Sequence, residues 1–303
     1  MNADRLQQLQ DQIKKLDSIS TAPAILQPLL EILRQPAENV RLEKVVELAS
    51  YDGAIAAQCL RMANSPLFGT RQIETVKAAI VALGIERMRS MLFGVCVNQV
   101  IPKEKWVLDP VTFWRHSLGC ALVTQRMAKG IGYPEPDKAY LAGLLHDLGF
   151  LVNSILCTAD FRKSLERASA QQSALHVCEA EILGFTHCES GQLLCEHWGL
   201  PKDLSETARY HHDVSALSSA PPLVCLVHLG DLLCRLCNLG YGYDEIMSVE
   251  LSGDSAWQPL MTAFPALAAV DLVRFTIDIE GAMDQIVATV DAVFGKSVAA
   301  GKS

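Results

Sequence analysis

Residues Ala139–Val152 read AYLAGLLHDLGFLV, an apolar run in which a histidine and an aspartate, His146 and Asp147, stand side by side. An α-helix turns about 100° per residue, so adjacent side chains project in different directions, and both reach one pocket only if several helices wrap it. Such a pair suits a metal centre in an all-helical core. The alternative is a core histidine bonded to a backbone carbonyl beside an aspartate that caps something local. Before and after the pair lie His116, His187, His211, His212 and Asp231, at separations that packed helices can close.

The surrounding pattern is helical. Apolar residues recur at three and four through Leu6, Leu9, Ile13 and Leu16, and again through Ile25, Leu29, Ile32 and Leu33 after a Ser/Thr/Pro break. LEKVVELAS, AIAAQCLRMAN, VKAAIVALG and IERMRSMLFGVCVNQVI continue as short helices, punctuated by Asp52-Gly53, Asn64-Ser65-Pro66 and Gly84. Downstream the pattern predicts helices from Val111 to Lys129, from Asp137 past Asn153, over 160–170, 173–183, 187–198, 202–212 and 222–238, and a long one over 267–293. No alternating strand pattern competes. The segment PKEKWVLDP, with a proline at each end, reads as a connector, which places a boundary near 102–110. The expected architecture is all-α: a helical unit over 1–101, a second packed helical unit over 111–240, and a helical extension over 241–303 that packs on the second unit.

Composition narrows the function classes. Half the residues are hydrophobic, 50%, and only 6% are aromatic, a mix that favours helices over aromatic-rich sheets. A net charge of −8 argues against non-specific binding to nucleic acid or to anionic membranes. The ten cysteines are scattered through apolar stretches, as at Cys59, Cys96, Cys120 and Cys157, and read as reduced, buried, small hydrophobes. Cys234 and Cys237 form a CxxC without a second pair to complete a zinc site. The start, MNADRLQQLQDQIKKL, is polar and periodic, unlike an export signal, and no uninterrupted apolar run approaches about 18 residues, so a cytoplasmic protein is expected.

The first unit carries LRMANSPLFG at 60–69, Ile73, Ala79-Ile80, Leu83-Gly84 and Met88-Arg89. The second carries FWRHS at 113–117, AGLLHDLG at 142–149, EILGFTHCESGQLLCEHWGLP at 181–201 and RYHHD at 209–213. On these residues the chain resembles the HDOD domain, a helical signalling module related to HD phosphohydrolases. The resemblance implies that the second unit is an HD-domain-like bundle. Catalytic HD and HD-GYP enzymes use a histidine, an adjacent His-Asp and a distal aspartate around a first metal, which here would be His116, His146, Asp147 and Asp231. In the HD-GYP arrangement further histidines serve a second metal with the His-Asp carboxylate bridging, and the matching residues are His187, His211 and His212. Many HDOD domains have lost such ligands.

Three departures bear on activity. Phe150 stands where HD-GYP enzymes carry a phosphate-contacting lysine, the GYP signature is replaced by VSALSSAPPLV after RYHHD, and an upstream acidic ligand found in some relatives would fall at Thr112. The mixed imidazole and carboxylate set suits one or two transition metal ions, iron, manganese, nickel, cobalt or zinc, rather than calcium. Glu181, Glu189 and Asp213 are candidates to orient the imidazoles. Each ligand also has a plain structural reading: His116 as a semi-buried polar tip, His187 as a residue of a helix N-terminus, His211-His212 on a solvent-facing last turn. Asp231, in the apolar helix VHLGDLLCRL, requires a metal, arginine or hydroxyl partner. His176, His197 and His228 read as structural, and Arg61 and Asn64 as ties between helices. The expected function is a signal-transduction module that binds a protein partner or a small phosphorylated ligand, with no nucleic acid and no membrane. The alternative is a metal-dependent phosphohydrolase acting on a nucleotide or cyclic dinucleotide.

Overall fold

The structure is a computed structural model that describes residues 3–14, 26–35, 37–50, 53–68, 72–100, 105–246, 250–265, 267 and 272–295. Leu16, Ile25, most of the proposed connector's first half (101–104) and residues 268–271 at the start of the last expected helix lie outside the described residues. Among those described there is no strand, and the all-α expectation holds.

The first part of the chain comprises α1 (Ala3–Ile13), α2 (Leu26–Leu33), α3 (Leu42–Ser50), α4 (Gly53–Ala63), α5 (Val76–Leu83) and α6 (Ile85–Val100). Helices α2 to α6 pack on one another, but α1 instead lies against α9 and α12 of the second part. Buried polarity here ties backbone together. Arg89, 4% exposed, bonds the carbonyls of Ile32 (2.8 Å) and Gln35 (2.6 Å) and forms a two-pronged pair with Glu86. Asn64 donates to the carbonyls of Leu60 and Ile73 and accepts from the Ile73 amide, so it does staple the loop between α4 and α5.

The second part runs through α7 (Pro110–Ile131), α8 (Pro136–Leu145), α9 (Gly149–Leu156), α10 (Thr158–Gln171), α11 (Leu175–Ile182), α12 (His187–His197), α13 (Lys202–Tyr210) and α14 (Pro222–Leu236). After it come α15 (Trp257–Ala263) and α16 (Leu272–Phe294). Helix α7 starts where Asp109 caps the Thr112 amide at 2.8 Å with Pro110 in the first turn, and it ends on Gly132 at φ 74°. It is the spine of the second part, in contact with α8, α14 and α16, and α16 also reaches α4. The two parts meet closely: Phe93 packs edge-on to Trp198 with centroids 5.5 Å apart, and Arg34 bonds the Trp198 carbonyl.

The expected helix from Asp137 past Asn153 is two helices. Between α8 and α9 the chain tightens to i→i+3 bonds, Leu148 N–H to Leu145 O at 3.1 Å and Phe150 N–H to Asp147 O at 3.0 Å. His146 and Asp147 lie in this tightened turn and face one centre. Small residues allow it: a Cβ on Gly149 would sit 1.8 Å from the His187 carbonyl oxygen, and one on Gly143 would meet the Ala121 backbone at 2.9 Å. By length and composition Pro136–Leu156 could cross a membrane, but 89% of its apolar window is buried inside the protein.

Candidate metal centre

The seven predicted residues are brought to one place. His116 comes from the middle of α7, His146 and Asp147 from the α8–α9 turn, His187 from the first turn of α12, His211 and His212 from the end of α13, and Asp231 from α14. Six of them, all but His212, are at most 1% exposed. Ligand atoms of His116, His146 and Asp231 lie within 4.8 Å of one another, as do those of His146, Asp147 and His211, and those of His187, Cys188, His211 and His212.

The distances divide the cluster about Asp147. On one side, Asp147 Oδ2 lies 3.4 Å from His116 Nε2 and 3.2 Å from His146 Nε2, and His116 Nε2 lies 3.3 Å from Asp231 Oδ1. On the other, Asp147 Oδ1 lies 3.3 Å from His187 Nε2 and 3.5 Å from His211 Nε2. Atoms bound about 2.0–2.2 Å from a common ion sit roughly 3.0–3.5 Å apart at octahedral or tetrahedral angles, so both halves have metal-ligand spacing.

Proton placement gives an independent test of fit. Each of four imidazoles has Nδ1 against an acceptor: His116 on Leu239 O (2.6 Å), His146 on Gly143 O (2.8 Å), His187 on Glu179 Oε2 (2.5 Å) and His211 on Ala208 O (2.9 Å). In the neutral tautomers this sets, Nδ1 donates outward and the Nε2 lone pair points inward. Two such nitrogens, those of His116 and His146, then face each other at 3.3 Å with no proton between them. Asp147 Oδ1 is buried and has no hydrogen-bond partner. Lone pairs converging without donors call for a cation.

The titration behaviour follows from the same crowding. Burial disfavours a charged His146, but Asp147 and Cys120 together outweigh it and hold the imidazole pKa well above its ordinary value. Burial likewise opposes a charged His187, and Glu179 leads the groups that raise its pKa well above the usual range. Burial would lift Asp147, yet His146, His187 and His211 keep its carboxyl well below the carboxylate range. His212 goes the other way: burial and the neighbouring His211 and His176 depress it far below an ordinary imidazole. The pocket therefore carries positive charge either as imidazolium protons or as metal, and a metal satisfies the converging lone pairs together.

Four residues that sequence reasoning missed complete the surroundings. Glu179, on α11, bonds both the His187 amide (2.9 Å) and its Nδ1, and its other oxygen accepts from Asn153 Nδ2 at 2.9 Å. The three candidates named for that duty are engaged elsewhere: Glu189 closes the capping box with Thr186 and pairs with Arg209, Glu181 pairs with Arg167, and Asp213 accepts from Ser215. Arg235 clamps both oxygens of Asp231 (3.0 and 2.8 Å) and is itself held by Glu245, so one of the partners foreseen for Asp231 is present one helical turn away. Tyr241 donates its hydroxyl to Asp147 Oδ2 at 2.8 Å. Cys188, next to His187, has Sγ 4.0 Å from both His211 ring nitrogens; burial raises its pKa, but His211 and His187 bring it down to about 6.

An aromatic wall closes the centre. The Phe150 ring lies 4.1 Å from that of His187 and 5.2 Å from that of Tyr241, whose ring lies 4.6 Å from His116. Phe150 is 1% exposed and Tyr241 6%. Thr112 is occupied in capping α7. His176 stacks on His212 at 4.3 Å, and His228 bridges the His211 carbonyl and Asp254. Cys234 and Cys237 are unbridged.

The HDOD domain model matches residues 19–214, and the chain belongs to the HDOD family. Asp231 and Tyr241 lie beyond the matched residues. A curated relative from Treponema pallidum, an uncharacterized protein, is 26% identical over 253 residues; the match covers 79% of this chain but 48% of the relative, so the chain spans about half that protein's length. The fold is shared with an HDOD domain protein of unknown function from Geobacter sulfurreducens, with TM-score 0.76, 24% identity, and 96% and 98% of the two chains covered. It is shared also with a Shewanella amazonensis protein provisionally described as a phosphohydrolase, with TM-score 0.69, 21% identity, and 97% and 99% covered.

Proposed function

We propose that this chain is a signal-transduction module whose His/Asp centre holds one or two transition metal ions as a closed structural or sensing element, and that it acts by binding a signalling protein or a small phosphorylated ligand. The observation that carries the reading is the combination of a nearly complete ligand set with its burial behind Phe150 and Tyr241. A metal in such a set, when it has an open position, activates water and polarises a phosphoryl oxygen. Here the position that would offer a substrate lysine presents a phenyl ring, and the tyrosine hydroxyl occupies a lone pair of Asp147. His116, His146, Asp147 and Asp231 would hold the first ion, and His187, His211, His212 and Asp147 the second.

The same ligand set supports the second reading, a metal-dependent phosphohydrolase of nucleotides or cyclic dinucleotides. Metal analysis and turnover separate them. Purified protein should contain close to stoichiometric iron, manganese, nickel or zinc, and Asp147→Ala should lose it. Metal-free, normally folded wild-type protein would overturn the centre. With metal bound, a panel of phosphodiesters and nucleotides should show no turnover; turnover abolished by His146→Ala would establish the enzyme instead.

A further inference from the structure

We infer that Cys188 supplies a thiolate to the His187/His211 half of the centre, which makes that half a mixed imidazole–thiolate site suited to zinc or iron(II) in preference to manganese. The inference rests on the metal-centre reading above and names a ligand outside the seven residues foreseen. Cys188 occupies the second position of α12, directly after His187, and is 4% exposed. Its Sγ is 4.0 Å from both ring nitrogens of His211, within the group that also includes His187 and His212. Zinc–sulfur bonds of about 2.3 Å with zinc–nitrogen bonds of about 2.0 Å put sulfur and nitrogen roughly 3.5 Å apart, so Sγ, equidistant from the two His211 ring nitrogens, would have to swing toward the Nε2 side to share an ion with it.

A further observation points the same way. Asp147 Oδ1 is fully buried, unpartnered, and lies 3.3 Å from His187 Nε2 and 3.5 Å from His211 Nε2. Binding is proton-balanced and redox-neutral: the metal–sulfur bond replaces the S–H bond, and the proton leaves to solvent.

The test uses full-length protein stripped of metal and reloaded with cobalt(II). Wild-type protein should show a thiolate-to-cobalt charge-transfer band in the near ultraviolet, and X-ray absorption of the zinc form should show one sulfur scatterer at about 2.3 Å. Cys188→Ser, with Cys188→Ala as the packing control, should retain cobalt in the other half, lose the band, and weaken zinc binding by at least about tenfold with little change for manganese. Bound cobalt with no band and no sulfur scatterer in wild-type protein would overturn the thiolate while leaving the metal centre standing. Failure of wild-type protein to take up any metal would overturn both. The wild-type measurements decide the question even if the variants fold poorly.

Discussion

The two halves of the molecule bury charged and polar groups in opposite ways. Around Arg89 every guanidinium nitrogen has an acceptor: two carbonyls and both Glu86 oxygens surround it, and the result is a tie between α2 and α6. Around Asp147 the acceptors outnumber the donors, with four inward nitrogen lone pairs meeting a carboxylate that has a bare oxygen. A saturated buried network is a structural device. An unsaturated one, in a protein that has to be stable, marks a place for something the chain does not itself contain.

That contrast can be broken by experiment. The largest effect is expected in the second half, where bound metal should stabilise the protein by about 4 kcal/mol at a free concentration a thousand times its dissociation constant. A chelator should accordingly lower the melting temperature of wild-type protein and leave Asp147→Ala unmoved; equal shifts in both would dissolve the distinction. Arg89→Leu should come next. It strands Glu86, whose side chain is 14% exposed, and should cost about 3 kcal/mol in denaturant unfolding while metal content stays unchanged. Loss of metal in that variant would show that the halves are not separate devices.

Glu179→Gln should act through affinity. The amide still accepts from the His187 backbone but no longer supplies charge to its Nδ1, and metal affinity should fall roughly 10- to 100-fold, read by competition with a chromogenic chelator. An unchanged affinity would remove Glu179 from the site. Tyr241→Phe should be the mildest, about 1 kcal/mol for one hydroxyl bond to Asp147, with the wall left in place. If this variant instead gains phosphodiester turnover, the hydroxyl is what holds the centre inactive.

Legibility in the sequence followed the length scale of each signal. Helix α7 and the helices from α10 to α14 fall close to where periodicity and capping residues put them, because those signals are local. The split of α8 from α9 was not legible, since the apolar run continues through it and the close approach of α12 to Gly149 is a tertiary contact. Among the centre's supporting residues, Arg235 was within reach as the i+4 neighbour of Asp231. Glu179 was not, although Glu181 and Glu189 flanked the correct idea, because which face of α11 turns inward depends on packing. Tyr241 carried no signal at all, lying beyond the family-like motifs in a loop whose path is set by contacts with α10 and the Ser173 carbonyl.

From its residues alone the chain declared a helical fold, membership in a family, and a set of imidazoles and carboxylates suited to metal, because these follow from period, composition and residue type. Tertiary structure decided that the candidate ligands gather around Asp147, that the outer nitrogens of four imidazoles are pinned so the inner ones face inward, and that Phe150 and Tyr241 pack beside them. Those facts depend on distances between atoms far apart in sequence, and a linear pattern of residue types does not encode such distances; only the packed helices do.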